Sequence, residues 1–352
     1  MEPAVVPILG PTILRQRGRE VKAEAYAVRL ALGVVPVFAF LWALALLDTY
    51  KLVSFRRILR AVTWGSIAGC LCYFLNTAVF RAAGPWSSWH ARLGAPILEE
   101  VAKAAYVIWL VRTAQVGFMV DAAICGVAAG AGFALVENVG DLNLLGSTTL
   151  AVWTLRGFGT AMMHGGTTAI VGVLVANRTA ALVPGLLLAI SIHAAWNMAL
   201  LTPLEASITV LLGLPLLFMF IFIRSEKSLR KWMGEKFDQD MEVLNMISTG
   251  RFLETNAGRY LRRLRDVLPP HIVGDMLCLL QLTLRLSVRA KGDMILREAG
   301  FEPEADPSLD AEFREMKFLE KSIGLAGRRA LDPLLPAGSR DLWEMRRLSD
   351  RD

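Results

Sequence analysis

The sequence predicts an all-α protein: a polytopic transmembrane helix bundle of about seven spans, followed by a small helical domain in the cytoplasm. Three observations predict it. Hydrophobic residues make up 54% of the 352-residue chain, above the ~45–50% usual in soluble domains. The excess is gathered into runs of about 20 apolar residues, the length of a membrane-crossing helix, between residues 30 and 223. Charge divides the chain at the same place: residues 1–224 hold 16 basic and 10 acidic side chains, and residues 225–352 hold 22 of each, so the net charge of +6 belongs to the first part. The expected organisation is a basic N-terminal segment (1–29), a transmembrane core (30–224) and a soluble helical region (225–352).

The seven candidate spans are roughly 30–47, 61–80, 95–112, 119–141, 153–176, 181–201 and 206–223. Trp86, Trp89 and Trp153 stand near span ends, where aromatic residues form interfacial belts. Lys51, Arg56, Arg57 and Arg60 follow the first span, Arg112 the third, Arg178 the fifth, and Arg224, Lys227, Arg230 and Lys231 the seventh. Positive loops stay inside, so the C-terminus is expected in the cytoplasm. The basic N-terminus, with Arg15, Arg17, Arg19 and Lys22, opposes this for an odd number of spans: either the count is off by one or the rule is outvoted there. A basic surplus beside apolar spans points to topology and anionic lipid, and no nucleic-acid reader motif is present.

The remaining sequence carries little chemistry. Cys70, Cys72, Cys125 and Cys278 show neither zinc spacing nor a disulfide framework. From residue 225 apolar residues recur at three- and four-residue spacing, as in "DAEFREMKFLEKSIG", which predicts helices. Asp310 is expected as an N-cap, Gly324 as a stop and "LPP" at 268–270 as a break. The region is a candidate docking site for a cytoplasmic partner.

The third span breaks the apolar rule, because "GAPILEEVAKAAYVIWLV" places Glu99, Glu100 and Lys103 together. Each charge near a span centre costs about 2.5–3.5 kcal/mol on the insertion scale, so the folded bundle must compensate. Lys103 lies four residues after Glu99 and three after Glu100, on one helix face. It can neutralise one carboxylate and leave the other available. Span 4 adds Glu137 and Asn138, span 5 Arg156 and His164, and span 6 His193 and Asn197. At about 1.5 Å of rise per residue, antiparallel spans bring the carboxylates and imidazoles into one half of the membrane, the outer half on the loop charges. One shared interior site follows. Glycines 126, 130, 132, 157, 159, 165 and 166 give the helices room for close approach.

Carboxylate and imidazole together are equipment for activating water. A shielded glutamate can act as general base, with histidines, Asn197 or Arg156 stabilising an oxyanion. Alternatively Glu137, His164 and His193 hold a zinc ion that lowers the pKa of bound water. The soluble His-Glu-x-x-His signature and the Gly-x-Ser-x-Gly elbow are both absent, and the residues leave zinc or no cofactor open.

Four motif blocks, "EEVAK" at 99–103, "FALVEN" at 133–138, "RGFGTAMMH" at 156–164 and "HAAWN" at 193–197, resemble those of the PrsW-type intramembrane proteases. More distantly they are similar to type II CAAX prenyl endopeptidases and to the multi-pass scaffold subunit of gamma-secretase. The likeness covers about residues 34–201. It implies hydrolysis of a peptide bond in a membrane-anchored protein, such as an anti-sigma factor, in regulated proteolysis. It carries catalytic roles onto Glu99, Glu100, Glu137, His164 and His193, with Lys103, Asn138, Arg156 and Asn197 in support, by a metallo- or a glutamate-type mechanism. The alternative is a non-catalytic membrane scaffold that recruits partners through residues 225–352. A proton or solute carrier ranks last, because no internal repeat is visible.

Overall fold

The computed structural model describes residues 11–48, 53–144, 149–177, 179–304, 306–335 and 339–349. Those residues are almost entirely helical and contain no strand. Eleven helices carry the architecture: α1 (Pro11–Leu47), α2 (Phe55–Ala82), α3 (Ala95–Arg112), α4 (Met119–Leu144), α5 (Leu150–Asn177), α6 (Leu182–Asn197), α7 (Pro203–Ser248), α8 (Asn256–Arg263), α9 (Pro270–Glu298), α10 (Leu309–Leu331) and α11 (Ser339–Ser349). The seven expected spans correspond to α1 through α7. Short 3-10, α and π turns between Gly84 and Gly94 join α2 to α3.

Helices α4 and α5 form the centre and are mostly buried, because small residues let their backbones meet. A Cβ at Gly130 would stand 2.3 Å from the His164 carbonyl oxygen, and one at Gly126 would stand 2.5 Å from the Ala169 Cα. On the other side of α4, a Cβ at Gly65 of α2 would come within 1.8 Å of the Ala129 carbonyl. Ser66 donates to the Gly132 carbonyl at 3.1 Å, tying the same two helices. With no hydrophobic force between helices in lipid, such close backbone packing supplies the attraction.

The outer helices show lipid what α4 and α5 do not. Val35, Phe38, Trp42 and Leu46 on α1, Leu71 and Phe74 on α2, and Leu212, Leu216, Met219 and Ile223 on α7 are exposed apolar side chains. In water such a belt would be a liability; in a bilayer it is the solvated surface. Six described helices are long and apolar enough to cross: α1, α2, α4, α5, α7 and α9. Helix α3 is excluded by its charges and α6 by its 16-residue length. Helix α9 meets the criterion but packs among α7, α10 and α11 and buries Lys291 against Asp240 and Glu344.

Helix α7 opens with a capping box, in which the Thr202 hydroxyl accepts from the Glu205 amide and the Glu205 carboxylate accepts from the Thr202 amide. It then runs for 46 residues, or about 70 Å at 1.5 Å per residue, well beyond the bilayer core. The composition change at residue 224 therefore falls inside a continuous helix. Three local expectations differ from the structure. Ser308 precedes α10 and Asp310 sits in its first turn; at Gly324 the backbone turns to φ 61°, a kink after which the helix resumes. Pro270 does open α9 after the break at "LPP". Trp86 and Trp89 are exposed as a belt requires, whereas Trp153 is buried and donates its indole N–H to the Arg29 carbonyl at 2.6 Å. The belt expectation fails there because an α1 carbonyl satisfies the indole.

Candidate active site

Pro96 in its first turn starts α3, and the second turn carries Glu99 and Glu100. Lys103 is fully buried. Its ammonium donates to Glu100 Oε1 at 2.5 Å and to His164 Nδ1 at 2.7 Å, and it lies 5.0 Å from the centre of the Phe133 ring. The lysine thus neutralises Glu100, and Glu99 is the carboxylate left available. Such a pair survives burial because each charge has a partner and further hydrogen bonds.

His193, from α6, meets both glutamates. Its Nδ1 bonds Glu100 Oε1 at 2.7 Å, while Nε2 stands 3.6 Å from Glu99 Oε2. A donor at Nδ1 leaves the Nε2 lone pair facing Glu99, because the tautomer is set by the bond the other nitrogen makes. Glu99 is held from its far side by Asn76 of α2, whose amide donates to Oε1 at 2.8 Å. The His164 and His193 rings stand edge to face with centroids 4.8 Å apart. His164 Nε2 bonds Glu137 Oε2 at 2.5 Å. With Lys103 donating at Nδ1, His164 carries its proton on Nε2 and gives it to that bond. The Glu137 side chain is 42% exposed, against 14% for Glu99 and 0% for Glu100. A polar chain therefore runs from buried Glu100 through Lys103 and His164 to an open carboxylate.

All five expected catalytic residues and Lys103 join this cluster. Asn138 does not: its amide donates to the Gly33 and Gly157 carbonyls, pinning α1 and α5 to α4. Asn197 is exposed and donates to the Ala91 carbonyl at 3.2 Å, fastening the π turn before α3. The Arg156 side chain lies outside the described residues. Asn76 was missed; a lone amide inside the apolar stretch "CYFLNTAVF" was the available signal, since intramembrane amides seek polar partners. Among the described residues, the group whose donor atoms all lie within 4.8 Å of one another is Glu99, His164 and His193. Glu99 stands where the zinc alternative placed Glu137.

The model of the PrsW family of intramembrane metalloproteases matches residues 54–224. Over that stretch, just under half of the chain, the membrane core is similar to this family of intramembrane proteases. No curated protein and no solved structure matches the chain significantly. The family places the peptidase activity in an integral membrane protein, acting on a membrane-protein substrate. The matched residues contain every member of the Glu-His-Lys cluster, from Asn76 to His193.

The family name implies a metal, and the cluster suits one. Two imidazoles and a carboxylate are a zinc-protease donor set, and Glu100 on His193 Nδ1 is the outer-shell arrangement that orients such a ligand. Glu100 Oε2 is buried without a hydrogen-bond partner among the described residues, so the outer shell keeps acceptor capacity. His193 Nε2 is free to ligate. His164 joins the set by exchanging one of its two present partners.

Proposed function

We propose that the protein is an intramembrane endopeptidase that clips a membrane-anchored protein of the anti-sigma-factor kind. Supporting this is one observation above all: Glu99 Oε2 and His193 Nε2, 3.6 Å apart, face each other inside the helix bundle. Glu99, His164 and His193 are the residues that would hold a zinc-class ion, which when bound supplies a Lewis acid for the scissile carbonyl and acidifies water.

The chain's own residues do the rest. Glu100 accepts the His193 Nδ1 proton and keeps Nε2 directed at the reacting water. Lys103 holds Glu100 ionised and in place. In the glutamate-type route Glu99 takes the proton of the attacking water and returns it to the leaving amine, the task of a general base turned general acid. Glu137, the most exposed carboxylate of the group, exchanges protons with the outside through His164. The charge of the loops supports a reading in which this half of the bundle faces the outer side of a bacterial inner membrane, with the C-terminus in the cytoplasm.

Cleavage of single-span reporters by the purified, reconstituted full-length chain tests this. Glu99→Gln and His193→Ala should each lower turnover at least about 100-fold, the lower range for a lost acid-base group. Loss with a strong chelator and return with zinc would select the metal route; chelator-resistant, Glu99-dependent cleavage would select the glutamate route. Wild-type rates in both variants would refute the assignment.

A further inference from the structure

At the other end of the bundle, the start of α4, the end of α5, the middle of α7 and the start of α11 line a half-open cavity of about 350 Å³. That volume lies within the ~300–1,000 Å³ of small-molecule sites. It is remote from catalysis, since Glu137 lies about 27 Å along α4 from Met119 at 1.5 Å per residue. Arg224, Lys227, Lys231 and Arg340 line it. Arg224 and Lys227 form no ion pair with any described residue. Lys231 has only an exposed contact of 3.8 Å with Glu235.

The nearby acids leave Arg224 and Lys227 without an ion pair among the described residues. Asp121 spends its two oxygens on the Gly117 and Phe118 amides. That also removes those backbone donors as anion ligands and leaves recognition to the four side chains. Asp121 and Asp341 both lie within electrostatic reach of Arg340. Arg340 is aimed by stacking 4.5 Å from the centre of the Phe118 ring.

Depth selects the chemistry. On α7 the exposed apolar series ends at Met219, Phe220 and Ile223, and the next residue is Arg224. The cavity thus sits where hydrocarbon gives way to headgroups, with Phe118 and Ala176 as apolar wall. A soluble anion would need only the cations, whereas a lipid uses both wall and cations.

We propose that this cavity is a phosphate-binding site for the headgroup of an anionic membrane lipid, joining the loop before α4, the α7 shaft and the C-terminal helix α11. Native mass spectrometry of the full chain in detergent, with phosphatidylglycerol or phosphatidylcholine added, tests it. Phosphatidylglycerol should stay bound where phosphatidylcholine does not. The R224Q/K227Q double variant should lower its occupancy about tenfold or more, at about 1 kcal/mol for each basic residue near a charged surface. Arg60→Gln, an exposed charge on α2 outside the cavity, should leave binding unchanged. Retention against millimolar inorganic phosphate identifies lipid as the source; displacement identifies soluble phosphate. Equal binding of phosphatidylcholine, or full binding by the double variant, overturns the proposal.

Discussion

Glu99 and Glu100 are adjacent in the sequence and opposite in circumstance. Glu100 is sealed between Lys103 and His193, so Glu100→Gln leaves a fully buried ammonium without its counter-charge. Breaking one side of a buried pair costs about 3–5 kcal/mol, and the variant should melt well below wild type in the same detergent. Adding Lys103→Met should restore much of that loss, since removing both charges removes the burial penalty; a double variant no more stable than the single would contradict the pairing. In the proposed mechanism Asn76 positions Glu99, so Asn76→Ala should lower kcat about 10- to 100-fold, as outer-shell losses do, with little change in KM. These contrasts bear on what the sequence could tell. Charges that are costly in a span pointed to this cluster, because the interior of the bundle has to compensate them. The partition of roles between the glutamates was not legible: helix spacing allows Lys103 to reach either one, and the choice is made by His164 and His193 from distant helices.

At the scale of elements, the apolar runs predicted seven helices and the structure has them. The physical reason is that a span must satisfy its own backbone. Less legible was which helices sit inside, because α4 and α5 are as apolar as the lipid-facing ones; only their glycines and buried polar residues mark them as central. The proposed catalytic cluster depends on that packing, since the backbone at His164 touches Gly130. Gly130→Ala forces a methyl to 2.3 Å from the His164 carbonyl oxygen, a contact that backbone must move to relieve. Overpacking of this kind costs about 1–3 kcal/mol or more and displaces His164 itself. Gly130→Ala should therefore lose both thermal stability and cleavage, whereas Gly140→Ala, with nothing within 4 Å of the new methyl, should lose neither. Equal melting temperatures for the two variants would show that the α4–α5 contact is looser than this.

Across the whole molecule, the C-terminal helices are bolted to the membrane core rather than tethered behind it. Trp343 of α11 is buried against Trp232 and Phe118, and a Cβ at Gly117 would come within 2.6 Å of its ring. Next to it, Glu344 shares a buried cluster with Ser287, Lys291 and Asp240. The Ser287 hydroxyl lies 2.7 Å from Asp240 Oδ2 and 2.5 Å from Glu344 Oε1, yet it has one hydrogen to give. A proton on Glu344 satisfies both contacts, with Ser287 donating to Asp240 and accepting from Glu344. Burial accordingly raises Glu344 to about 7, against the pull of Lys291. The folded chain then holds a proton that the unfolded chain releases near the ordinary glutamate value of about 4.3. Between that value and 7 the native state binds more protons, so its stability falls as pH rises and levels off above 7. The sequence hid this, because Asp240, Lys291 and Glu344 come from three helices and each alone resembles a solvated charge. Thermal melts of the full chain from pH 5 to pH 8 should show a falling midpoint for wild type and a flatter profile for Glu344→Gln, whose neutral amide can still donate to Ser287. A slope unchanged by that substitution would mean that Glu344 is ionised in the native state, and that Lys291 holds two carboxylates at once.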